Sequence, residues 1–179
     1  MRTFVAAEIN NEEVLASIKK IQTDFMIRAK PVALNNIHFT LMFLGEISEQ
    51  IAEKVQGALN SIRFEEFDVQ FIGIGAFPKV RSPRVIWVGT DEKSGENLRN
   101  LASQVESVLS PLGFHSDKPF RPHVTIFRIK NKVGDISDKL GKFKTTKFGV
   151  QKVSEIKFKK SVLTPEGPNY YDLEVIKAK

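Results

Sequence analysis

Two short stretches of the 179-residue chain carry the same pair of reactive side chains: His38-Phe39-Thr40 and His123-Val124-Thr125. Both lie in β-branched and aromatic surroundings, "NIHFTLMFLG" and "RPHVTIFRI", which read as strands. Along a strand, alternate residues share a face. Each motif thus presents an imidazole and a hydroxyl side by side, about 7 Å apart along the backbone. Phe39 and Leu41, like Val124 and Ile126, point the opposite way into an apolar support. An imidazole titrates near neutrality, so of two such groups one can be neutral and accept a proton while the other is charged and donates one. That division of labour suits in-line displacement at phosphorus, where each role is worth on the order of 10² to 10⁴ in rate. The hydroxyls would hold the non-bridging oxygens, on which charge grows in the transition state.

The chain has only 3 histidines and 8 threonines. Two such coincidences arise by accident in well under about 1% of comparable sequences, so the pair is read as a site. A zinc site built from His38, His115 and His123 is disfavoured, because no carboxylate or thiolate stands at ligand spacing and the threonines would be unexplained. No metal and no cofactor is expected.

The elements around the motifs repeat. "RTFVAAEI" reads as a strand, and Asn10 with Glu13 as a capping box opening a helix whose apolar positions are Val14, Leu15, Ile18, Ile21 and Phe25. The first motif strand follows, then a helix opened by Ser48, and the strand "FDVQFIGIGAF". "RVIWVGT" starts the pattern again, with a helix from about Ser94 to Gly113 and then the second motif. From Phe4 to His38 is 34 residues and from Ile86 to His123 is 37, so the order strand, helix, motif strand is duplicated. Residues 1–80 and 81–179 form the two halves of one bilobal domain on this reading. The tail adds strands around "KFGVQKVSEIKFKKSVL" and "YYDLEVIK".

Composition narrows the class. With no cysteine there is no disulfide framework, thiolate metal site or cysteine nucleophile. No run approaches a membrane span, and "MRTFVAAEIN" turns acidic too soon for a secretory signal, so a cytoplasmic address is expected. The formal charge is +6 and uneven: from Arg128 onward there are 13 Lys/Arg against 6 Asp/Glu, whereas residues 1–127 carry 14 against 15. A polyanion such as RNA would be drawn to that C-terminal surplus.

With the motifs in place, the chain resembles the 2H phosphoesterases, and among them the RNA 2′,3′-cyclic phosphodiesterases also known as 2′-5′ RNA ligases. The likeness runs from "RTFVAAEI" through "NIHFTLMFLGEI", "GIGAFP", "RVIWVG" and "FRPHVTIFRI" to "KSVLTPEGPNY". It implies an α+β fold of two duplicated strand-helix-strand halves, with antiparallel sheets flanking a central groove. It also implies metal-independent hydrolysis of an RNA 2′,3′-cyclic phosphate to a 2′-phosphate, and the reverse 2′-5′ ligation. By position, His38 would be the proton donor and His123 the proton acceptor, with Thr40 and Thr125 gripping the phosphate.

Further contacts are less determined. Arg128 matches the arginine that ends the family's second motif, yet strict alternation puts it opposite His123 unless a bulge re-aims it. Arg121 flanks the motif, and Phe4, Phe77, Trp87 or Tyr170 could stack on a base, although most aromatic residues of such a chain fill its core. The expected partner is an RNA end acted on by a monomer. A binding module without catalysis, or a phosphodiesterase for a small nucleotide such as ADP-ribose cyclic phosphate, are the alternatives.

Overall fold

The computed structural model describes all 179 residues. Nine strands form two antiparallel sheets. β1 (Arg2–Glu8), β3 (His38–Glu46), β8 (Glu155–Thr164) and β9 (Gly167–Lys177) make one, in the order β3-β1-β8-β9. β2 (Lys30–Pro31), β4 (Phe67–Phe77), β5 (Val85–Thr90), β6 (Val124–Arg128) and β7 (Lys147–Val153) make the other, in the order β2-β6-β5-β4-β7. The helices are α1 (Glu12–Asp24), α2 (Glu49–Leu59), α3 (Glu92–Leu109) and the short α4 (Ser137–Gly141). The expected α+β architecture is present.

In each half the strand, helix, motif-strand unit closes as an antiparallel pair: β1 with β3, and β5 with β6. The two sheets are not assembled half by half, however. β2 and β4, from the first half, join the sheet of the second motif, while β8 and β9, from the end of the chain, complete the sheet of the first. The tail "KFGVQKVSEIKFKKSVL" divides at Ser154 to supply one strand to each sheet. One hydrophobic core underlies both, with the Phe39 and Phe71 rings stacked 5.5 Å apart where the sheets meet. Above that core β3 and β6, the motif strands, come within 8 Å of each other, Cα to Cα.

Helix boundaries follow their caps. Asn11, not Asn10, caps α1, its side chain accepting from Val14 N at 3.0 Å. Asn10 is taken by Gln151, a buried β7 side chain that accepts from the backbone N–H groups of Asn10 and Asn11 and donates to Asn10 Oδ1. The long-range amide outcompetes the local capping box, moving the cap by one residue. Ser48 caps α2 as expected, and α3 starts earlier than Ser94 because Asp91 accepts from Ser94 N. Gln151→Leu leaves two part-buried N–H groups without their side-chain acceptor, at about 1–2 kcal/mol each, the low end of the cost of an unmade bond. The expected outcome is a loss of about 2–4 kcal/mol in urea unfolding, with the m-value unchanged.

Candidate active site

Each motif is shaped by the same backbone irregularity. In the β1–β3 ladder Val5 faces Met42 but Ala6 faces Thr40, so Leu41 is an extra residue. In the β5–β6 ladder Ile86 faces Phe127 but Trp87 faces Thr125, so Ile126 is extra. A bulge therefore follows each motif threonine, and the alternation of faces resets there. Leu41 and Met42 are both buried, as are Ile126 and Phe127. The next residue, Phe43 in one strand and Arg128 in the other, is thereby turned out onto the face of the histidine and threonine. The open question over Arg128 is resolved in favour of the bulge.

His38, Thr40, His123, Thr125 and Arg128 all line one cavity of about 1670 Å³, together with Arg121, Phe43, Phe77, His115, Lys159 and Tyr170. Both imidazoles are held by the same bond. His38 Nδ1 lies 2.7 Å from the Asn36 carbonyl oxygen, and His123 Nδ1 lies 2.6 Å from that of Arg121. A carbonyl can only accept, so Nδ1 carries the hydrogen in each, and in the neutral ring the lone pair sits on Nε2. His38 Nε2 accordingly accepts from the Thr40 hydroxyl at 3.0 Å.

Aromatic rings wall both histidines. Phe4 packs 5.2 Å from the His38 ring and Tyr170 meets it edge-on at 5.4 Å. Phe77 and Trp87 meet His123 edge-on at 4.9 and 6.1 Å. Phe4 does not reach the cavity as a stacking surface: it is 4% exposed, with its ring under His38 and against Tyr170 at 5.0 Å. Trp87 lies flat on its own sheet, where Gly75 leaves room for its ring; a Cβ there would come within 2.2 Å. Arg121 sits with its guanidinium 5.7 Å from the Phe77 ring centre.

Two site residues escaped sequence reasoning. Phe43, 70% exposed at the cavity wall, is the counterpart of Arg128 in the duplicated unit, and the five-residue spacing from each motif histidine was the available signal. Lys159 was hidden among the tail lysines. It is 6% exposed and binds Glu8 and, at 2.7 Å, Asp172; Lys157 bridges the same two carboxylates at 3.1 and 2.9 Å. Burial works against charge on Asp172, but the two ammonium groups outweigh it and hold its carboxyl below the usual range. Glu8 stands opposite His38 in the ladder, so this four-charge network abuts the first motif. Part of the tail's positive surplus is thus neutralised internally.

Burial among these rings pushes His38 down to about 4; its bond to Asn36 O acts the other way, and Lys159 and Arg128 depress it further. His123 is also lowered, first by burial and then by Arg121 and Arg128, against the pull of its carbonyl partner. Both rings are therefore neutral at pH 7 in the protein alone. His38, His115 and His123 share the cavity, yet no three His, Cys, Asp or Glu side chains gather closely enough to hold a metal ion.

A folded-state value of about 4 for His38 against 6.5 unfolded has a consequence for stability. Between these pH values the unfolded chain binds more protons, so stability is present above pH 6.5 and lost as pH falls towards 4. The loss from this group reaches about 3 kcal/mol, and His123 adds in the same direction. His38→Gln should flatten the decline between pH 6.5 and 4.5 in urea titrations; an unchanged slope would contradict the burial argument.

Sequence and structure comparisons agree with this geometry. The LigT like phosphoesterase family matches twice, over residues 9–87 and 88–170, once for each motif. The RNA 2′,3′-cyclic phosphodiesterase of Archaeoglobus fulgidus is 39% identical over 178 residues, covering 98% of this chain and 99% of that one. Its namesake from Methanocaldococcus jannaschii is 36% identical over 181 residues, covering 99% of each. The crystal structure of TT0787 of Thermus thermophilus superimposes with a TM-score of 0.80 at 29% identity, over 99% of this chain and 97% of that one. With a double family match, full-length relatives and a shared duplicated fold, the chain belongs to the LigT-like phosphoesterase family.

Proposed function

We propose that the protein hydrolyses 2′,3′-cyclic phosphates at RNA ends to 2′-phosphates, without a metal, and that it does so as a cytoplasmic monomer. The observation that carries the reading is the matched pair of Nδ1-to-carbonyl bonds in two strands that approach each other, which leaves the lone pair on Nε2 in two rings that line one cavity. The full-length relatives named as RNA 2′,3′-cyclic phosphodiesterases supply the substrate class.

In this mechanism His123 Nε2 takes a proton from water as the water oxygen bonds to phosphorus. The bond from phosphorus to O3′ breaks, and O3′ receives the proton of His38 Nε2. The product carries a 2′-phosphate and a 3′-hydroxyl; His123 is left protonated and His38 neutral, and solvent exchange restores both. Thr40, Thr125 and the guanidinium of Arg128 hold the non-bridging oxygens. The assignment of donor to His38 and acceptor to His123 rests on the family resemblance. An imidazolium with a value near 4 is a strong acid once protonated, which suits expulsion of an alkoxide. The bound phosphate, being anionic, would bring that proton into the complex. The reverse reaction, with an RNA 5′-hydroxyl in the place of water, is 2′-5′ ligation by the same centre.

Turnover is tested with an oligoribonucleotide bearing a 2′,3′-cyclic phosphate in the presence of EDTA. A 2′-phosphate product is expected, and binding without turnover would replace this reading with a non-catalytic module. His38→Ala and His123→Ala should each lower kcat by about 10² to 10⁴, and Thr40→Ala or Thr125→Ala by about 10 to 100. Because free His38 is neutral at pH 7, kcat/KM should fall as pH rises from 6 to 8, approaching tenfold per unit. The value of kcat, which reports the complex, should hold to higher pH. A flat kcat/KM over that range would contradict His38 as the donor.

A further inference from the structure

The cavity carries more positive charge than one phosphate requires. Seven Lys/Arg side chains line it, against the two carboxyl-bearing residues Asp117 and Glu166. Of the seven, only Lys159 has a carboxylate within 4 Å. Lys118 and Arg121 stand on the approach to β6, where Asp117 adjoins Lys118 and Arg121 already lies against Phe77. The other four gather at the far end of β6. Lys30 pairs with Arg128 across β2 and β6, and Arg128 with Val85 across β6 and β5. Arg84 precedes Val85, accepts from Ile129 N at 2.9 Å, and donates through Nη1 to the Lys130 carbonyl at 2.9 Å. Three neighbouring strands, roughly 4.8 Å apart, thus gather four cations at their ends on the cavity lining. Lys30 spends one side-chain donor on the Glu166 carbonyl at the β8–β9 turn, and Arg84 keeps its remaining guanidinium donors after the bond to Lys130.

Like charges held together repel, and an anionic ligand relieves that repulsion. The cavity volume of about 1670 Å³ exceeds the roughly 300–1,000 Å³ of a small-molecule cleft, so it has room for more than one nucleotide. We propose that Lys30, Arg84 and Lys130, with Arg128 at the inner end, form a track for the phosphodiesters upstream of the reacting RNA end. This track selects polynucleotide ends over cyclic mononucleotides. The inference rests on the RNA reading above and names the residues that make the substrate a chain.

Fluorescence anisotropy of a labelled tetraribonucleotide ending in a 2′-phosphate, competed with a nucleoside 2′-phosphate, tests it. The native protein should bind the tetranucleotide at least about tenfold tighter than the mononucleotide. In Arg84→Gln/Lys130→Gln most of that preference should vanish, with mononucleotide affinity changed less than about twofold. The slope of log affinity against log salt should drop by about 1.4, close to 0.7 for each single-strand phosphate contact removed. Lys130→Gln alone, whose side chain makes no hydrogen bond in the fold, should lose part of the preference, and Arg84→Lys should keep the salt slope. Equal affinity for the two ligands in the native protein, or equal weakening of both in the variants, would overturn the track. Because binding is read, an inactive protein that still prefers the tetranucleotide sinks the proposed reaction and leaves the track standing; an active protein with no preference does the opposite.

Discussion

The hydrogen bond from each motif imidazole to the carbonyl two residues before it is the constraint on which the rest of the site depends. It determines which nitrogen carries the hydrogen and leaves the lone pair on Nε2, and it recurs in both halves. Without it the rings would be free to rotate or exchange tautomers, and the two groups proposed as acid and base would not keep a fixed orientation. The bond also opposes the effect of the apolar walls. Burial among Phe4 and Tyr170, or Phe77 and Trp87, favours the neutral ring, while a carbonyl acceptor favours the charged one. Burial wins for both in the protein alone; in the proposed mechanism this reserves protonation of His38 for the moment when a phosphate anion is present.

A second device converts this pairing into a binding surface. A strand of perfect alternation would place the residue five beyond each histidine on the core side. One extra residue after each threonine sends two consecutive apolar side chains into the core and brings Phe43 and Arg128 out beside the motif. The duplicated unit thus yields unlike results from like geometry: an aromatic face on one wall and a guanidinium on the other. The exchange of strands between the halves ties the two motif sheets together over one core, with β3 and β6 approaching within 8 Å, Cα to Cα.

Much of this was legible in the residues. The repeated order of elements, the two motif strands and the buried faces of Phe39, Leu41, Val124 and Ile126 all follow from alternation and spacing. What escaped the sequence was non-local. The bulges depend on how β1 and β5 pair with their neighbours, so the direction of Arg128 could be posed as a question but not answered. Gln151 moved the α1 cap from 140 residues away. Phe4 offered itself as a stacking ring, but the β3–β1–β8 packing sealed it beneath His38. The charge surplus of the tail told only part of the story: Lys157 and Lys159 are paired with Glu8 and Asp172, whereas Lys30 and Arg84, from the evenly charged part of the chain, join the tail's Arg128 and Lys130 on the cavity lining with no carboxylate partner.

The central claim is that two imidazoles, alike when the protein is alone, take up different proton states around one phosphate. Long-range ¹H–¹⁵N correlation spectra of histidine-labelled protein measure this directly. At pH 7 both motif rings should show the neutral form with hydrogen on Nδ1, and saturation with a nucleoside 2′-phosphate should render one of them, and not both, doubly protonated. Hydrogen on Nε2 in the free protein, or two rings in the same protonation state at saturation, would contradict the account.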